Sequence, residues 1–121
     1  MMLMLGGLLA SCSNLYESHD IIIAEDNIIF SATLTENLGD FTAVNVTGEE
    51  MWHIDPNGYA YVSGYVNSAN TANEAWLISP EIDLSDVEAA KLTFDHVARY
   101  FANLATEATV QVSENYVTGA L

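Results

Sequence analysis

Positive charge is nearly absent from this chain. Lys and Arg together number 2 against 17 Asp and Glu, a net charge of −15 at pH 7. Such a surface repels phosphate backbones and anionic headgroups, which argues against a nucleic-acid partner and leaves divalent cations and uncharged ligands compatible. Most carboxylates have no basic side chain to pair with, so surroundings rich in screening cations suit it. Cysteine occurs once, at Cys12, which excludes an intrachain disulfide framework and a cysteine-based zinc site. The three histidines, His19, His53 and His96, are far apart and lack zinc-site spacing. No apolar run reaches the roughly 20 residues that a spanning helix needs. A strained serine elbow, a phosphate-cradling glycine loop and EF-hand spacing are also missing. Asp95 and His96 are neighbours, but on a strand adjacent side chains face opposite sides. Among 17 acids some close pair is inevitable, so their number is no sign of a glycosidase. The expectation is a protein that does not catalyse.

What is present is apolar and aromatic. Half of the 121 residues are hydrophobic and 10% are aromatic, enough for one folded domain with a single core. The chain opens "MMLMLGGLLASC", a short apolar run that closes on small residues before Cys12. That is the make-up of an export signal, and Leu9-Ala10-Ser11-Cys12 resembles the lipobox of bacterial lipoproteins, cut just before a lipid-bearing cysteine. Residues 1–11 are therefore expected to be a lipoprotein signal peptide and Cys12 its lipidation site. Each buried acyl CH₂ contributes about 0.8 kcal/mol, and more than one chain makes the anchor stable. Residues 12–27 read as a tether and first strand. Glu17 and Asp20 are a dispersed version of the acidic cluster that follows the cysteine in surface-exported lipoproteins of the Bacteroides group. The expected location is the outer membrane or cell surface, with the face left open.

From residue 20 the pattern is β: short apolar or alternating runs between turn residues. Strands are predicted at 20–24, 41–46, 51–54, 59–65, 75–79, 91–97 and 107–113. "DPNG" at 55–58 predicts a turn, since Pro presets φ and Asn-Gly tolerates positive φ. Leu92 and Phe94 are expected to point inward. Ala108, Val110 and Val112 should take one face of the last strand, with Thr109, Gln111 and Ser113 on the other. Residues 97–105 fit a helical turn or two and a bulged strand with loop equally well. Trp76-Leu77-Ile78 does not alternate, which predicts a strand buried on both sides or a place where the chain crosses between sheets, ended by Ser79-Pro80. Ile82 and Leu84 then alternate with a wet side of Glu81, Asp83 and Asp86.

"NEAWLISPEIDLS", then "AKLTFDHVARY" and "ATVQVSENY", resemble the choice-of-anchor J family, related to the cleaved adhesin domains of secreted bacterial proteins. Upstream, "FSATLTENLGDFTAVNVTGEEMWHID" and "NGYAYVSGY" fit the opening of that family. The resemblance covers roughly residues 28–118, with several separated motifs in order. It implies a jelly-roll β-sandwich over 28–121 with a binding or adhesive role. The family continues with further strands where this sequence stops after "ENYVTGAL", so the domain is expected to be C-terminally incomplete.

Jelly rolls related to this family often carry a structural calcium, and the candidate ligands are Glu36, Asn37 and Asp40 in "TENLGD", with Asp95 from a later strand. Tyr59, Tyr61, Tyr65 and Tyr100 are the candidate binding platform, because aromatic faces stack on sugar C–H surfaces and form rigid contact area. The first three share one face of a continuous 59–65 strand, where a core role suits them equally well. Two functions follow. One is a lipid-anchored module that binds glycan or an extracellular protein; the other is a spacer that presents a further C-terminal unit. Accessible tyrosine area separates them.

Overall fold

The computed structural model describes the backbone of Met2–Gly6 and residues 27–119. The predicted strand at 20–24 and the lipidation site Cys12 lie outside the described residues. The fold is all-β, with eight strands and one helical turn among the described residues. In chain order these are β1 (Met2–Gly6), β2 (Thr42–Thr47), β3 (His53–Asp55), β4 (Tyr59–Tyr61), β5 (Tyr65–Val66), β6 (Ala69–Asn70), β7 (Glu74–Glu81), α1 (Leu104–Glu107) and β8 (Thr109–Ser113). An antiparallel sheet runs in the order β2-β7-β1-β8, and β3-β4 and β5-β6 are separate two-stranded ribbons.

β7 is the spine. Ala75, Leu77, Ile78 and Ser79 are buried, with Trp76 and Pro80 half-buried. This bears out the non-alternating run, because β7 has a neighbour on either edge and covered faces. The strand does not end at Ser79-Pro80, however, but continues to Glu81. Its ladder with β2 stops at Thr42↔Ile78, and its ladder with β1 shifts between Met2↔Glu81 and Met4↔Ile78. Pro80 thus sits in a bulge with β2 already gone, a place where a missing N–H costs little. Ile82 and Leu84 are half-buried while Glu81, Asp83 and Asp86 are exposed, as their alternation predicts.

Two other expectations need correction. Residues 91–97 lie outside the strands, and Leu92 is exposed. The predicted 59–65 strand is broken: β4 ends at Tyr61, and Tyr65 belongs to the ribbon with β6. Asn67 and Ser68 both take positive φ, 51° and 64°, between the pair Val66↔Ala69. That is a two-residue I′-type turn, and it fixes Tyr65 in a ladder of its own.

The helical reading of 97–105 is realised late and briefly, at Leu104–Glu107. Asn103 caps it, its Oδ1 accepting from Ala105 N at 3.2 Å, and the Glu107 carboxylate reaches back to Asn103 N at 3.0 Å. Glu107 is therefore a helix residue and β8 begins at Thr109. Ala108 is fully buried, but Val112, placed on the same face by alternation, is exposed.

Trp52 joins the β3–β4 ribbon to the sheet. It is buried with Ala75 and Leu77, and Leu34, Leu38, Phe41, Ala43, Ala60 and Val62 pack around them. Its Nε1 donates to Ala75 O at 3.2 Å, so the one polar atom of the ring is satisfied inside the core. Among the described residues no helix is long and apolar enough to cross a membrane.

Candidate functional site

The site is the outer face of the β3–β4 hairpin. Its turn is local chemistry: Gly58 N donates to Asp55 O at 2.9 Å, and Gly58 takes φ +84°. The three-residue loop pins the register His53↔Tyr61, Ile54↔Ala60, Asp55↔Tyr59. Directly opposed residues share a face, so His53, Asp55, Tyr59 and Tyr61 are together on one side and Ile54 and Ala60 on the other. Ala60 packs on the Trp52 core. That orients the hairpin: the apolar side is held down and the aromatic side faces water.

On the wet side, Tyr59 is 48% exposed and Tyr61 40%. The His53 and Tyr61 rings meet edge to face, centroids 5.6 Å apart, and Tyr59 meets Tyr61 in the same manner at 6.4 Å. His53 Nδ1 lies 3.0 Å from Met51 O. A carbonyl only accepts, so Nδ1 carries a proton, and in the neutral ring Nε2 is then an acceptor. Asp55 closes the row, and its Oδ1 accepts from Asn57 N at 2.8 Å and from Asn57 Nδ2 at 2.7 Å. The surface thus combines three rings with two acceptor groups.

The Asn57 backbone and side-chain bonds hold the Asp55 carboxyl below its ordinary value of 3.8, with smaller help from Tyr59 and His53 and against some desolvation. Because the folded value is depressed, the carboxylate's contribution is present above 3.8 and is lost as pH falls through the folded value. The Asn57 amide resonance should therefore titrate with a midpoint below 3.8, and Asp55→Asn should flatten that titration. A midpoint at or above the ordinary value in the parent would contradict the hydrogen-bonded turn.

Two asparagines clamp the backbone of one residue, Glu50, on both its N–H and its C=O. Asn73 Oδ1 accepts from Glu50 N at 3.0 Å, while Asn73 Nδ2 and Asn45 Nδ2 donate to Glu50 O at 3.0 and 2.9 Å. Asn45 Nδ2 also donates to Asn73 Oδ1 at 3.2 Å. This fixes the chain just before Met51-Trp52-His53 and so sets where the aromatic row begins.

The four predicted platform tyrosines are all exposed but are not one surface. Tyr59 and Tyr61 are brought together. Tyr65, 61% exposed, sits on the β5–β6 ribbon. Tyr100, fully exposed at φ 64°, lies on the irregular stretch before α1. His53 and Asp55 were not expected there; the signal was the DPNG turn, from which counting outward pairs each with a tyrosine.

Of the candidate calcium ligands, Glu36 and Asn37 line one open depression and Asn37 and Asp40 line another, whereas Asp95 lines neither. Asn37 Oδ1 accepts from Gly39 N at 2.8 Å, closing the loop on itself. Among the described residues no three His, Cys, Asp or Glu side chains form a group able to hold a metal. Compared with protein-family models, with curated proteins and with solved structures, the chain finds no match.

Proposed function

We propose that this protein is an exported, lipid-anchored, non-catalytic binding module whose β3–β4 hairpin presents a glycan-binding face. The observation that carries the reading is the exposed row of His53, Tyr61 and Tyr59 with Asp55 at its end. Tyrosine rings offer flat area to the C–H face of a pyranose at low entropic cost, and acceptors beside them take hydroxyl protons. Exposure of Tyr59, Tyr61 and Tyr65 supports a surface role, since burial of all three is what would have favoured the spacer reading. The finer architecture, a jelly-roll sandwich of choice-of-anchor J type, belongs to the same proposal. It is supported by the β3–β4 ribbon packed through Ala60 and Trp52 onto an antiparallel sheet.

A glycan array probed with the full chain should give saturable binding. Tyr59→Ala with Tyr61→Ala should weaken it about tenfold or more while the far-UV spectrum is unchanged. No binding, or binding indifferent to both substitutions, sinks the glycan reading; hydrolysis abolished by one carboxylate substitution sinks the non-catalytic one. The same array run in EDTA tests a structural calcium at Glu36, Asn37 and Asp40, proposed from the acidic make-up of that loop. Equal melting curves with and without chelator would remove it.

Lipid anchoring is tested separately. Cys12→Ala should abolish processing before residue 12 and acyl labelling, and release the protein from the membrane fraction. Unchanged fractionation and labelling would refute the anchor.

A further inference from the structure

β1 occupies an unusual place for the segment it is. Met2–Gly6 lies inside the apolar run that reads as an export signal, yet it is an inner strand of the main sheet. It runs antiparallel to β8 with no shift, from Met2↔Ser113 to Gly6↔Thr109. On its other edge it is matched to β7, with Met4↔Ile78, Leu5↔Leu77 and Gly6↔Trp76. Taking β1 away opens one edge of the strand that holds the buried Leu77, Ile78 and Ser79. It also leaves β8 with no neighbour in the sheet among the described residues, where β1 alone lies beside it. Unpaired ladder groups beside a buried spine are a template for another strand.

We infer that the gap between β7 and β8 is a strand-accepting slot, occupied here by Met2–Gly6 and able to take an extended apolar segment of another polypeptide once that strand is withdrawn. The resident strand shows what fits. Main-chain hydrogen bonds on both edges supply affinity, as in β-augmentation. Selection comes from register: a residue without bulk opposite Trp76, and large apolar residues opposite Leu77 and Ile78. The net charge of −15 disfavours an acidic occupant. That the exported form presents the slot open rests on cleavage before Cys12. The slot itself does not, so its test uses the full chain and is independent of export and glycan binding.

The test withdraws the strand chemically. Leu5→Pro removes a ladder N–H from an inner strand, where proline is not tolerated. The probe is a labelled synthetic peptide, acetyl-Met-Leu-Met-Leu-Gly-Gly-Lys-Lys-amide, with a control carrying proline in place of its second leucine. The parent should ignore the probe. The variant should melt at a lower temperature, bind the probe saturably at least tenfold better than the control, and regain melting temperature on binding. The inference fails if Leu5→Pro melts like the parent. It fails equally if the folded variant ignores the probe, which would mean that β8 closes directly onto β7, or if the parent binds as well as the variant. Should the variant not fold alone, refolding with the probe must restore the β spectrum; no recovery overturns the inference. In a Cys12→Ser, Leu5→Pro background, Leu3→Cys with Val112→Cys, oxidised, pins β1 to β8 and must abolish binding. Retained binding would place the site elsewhere.

Discussion

Trp52→Ala should lower the stability of the protein by about 3–5 kcal/mol, a large share of what a domain of this size possesses. The ring is 5% exposed and is the hub around which β2, β4, β7 and the loop carrying Leu34 and Leu38 meet. Truncation leaves a cavity that distinct elements would have to close together, and close packing lets each move little. It also leaves Ala75 O without its 3.2 Å donor. Trp52→Phe separates the two effects: much of the packing is kept and the hydrogen bond is lost, for a smaller loss of about 1–3 kcal/mol. Urea midpoints of the three proteins measure this directly. Trp52→Ala unfolding within about 1 kcal/mol of the parent would show that this cluster is not the core. Glycan binding should fall with the fold, since His53 follows Trp52 in the chain.

Gly48→Ala is the second large effect. Gly48 takes φ +84°, a region that costs an L-residue about 1–2 kcal/mol. A methyl group there would also stand 2.6 Å from Ala72 O and press on Asn73 Oδ1. Neither neighbour is free to move. Ala72 O is backbone, and Asn73 Oδ1 is engaged by Glu50 N and Asn45 Nδ2. The expected loss is about 3 kcal/mol or more, combining backbone strain with overpacking. Gly39→Ala is the control. It shares a positive φ, 56°, but its methyl group would meet only Asn37 Oδ1, at 3.8 Å. It should cost about 1 kcal/mol, from the backbone alone. Equal melting temperatures for the two variants would show that the Asn45–Asn73 clamp yields freely.

What could be read from the sequence divides by the range of the interaction. The DPNG turn was legible because Pro56 and Gly58 restrict their own backbone, and the turn stands where those residues put it. The buried strand was legible from Trp76-Leu77-Ile78, and the alternation of Ile82 and Leu84 against Asp83 from period alone. The Val66–Ala69 turn was missed because Asn67-Ser68 is a weaker signal than Asn-Gly for two successive positive φ angles. Residues 91–97 show the limit from the other side. Their alternation is that of a strand, but a strand exists only where a partner supplies hydrogen bonds, and alternation does not name one.

The candidate site was half legible. Tyr59 and Tyr61 were expected, while His53 and Asp55 joined them only through the cross-strand register. Tyr65 dropped out because the chain turns between Tyr61 and Tyr65.

The amino-acid sequence by itself determined the β character, the acidic surface, the sharp hairpin turn and the burial of the run Trp76-Leu77-Ile78, because charge, φ restriction and apolar content act on neighbouring residues. Tertiary structure alone decided which face of the hairpin meets water, that Trp52 closes the core, and that Met2–Gly6 lies between β7 and β8. These depend on strands pairing across long stretches of chain, where many registers satisfy the same local pattern and the sequence alone does not choose among them.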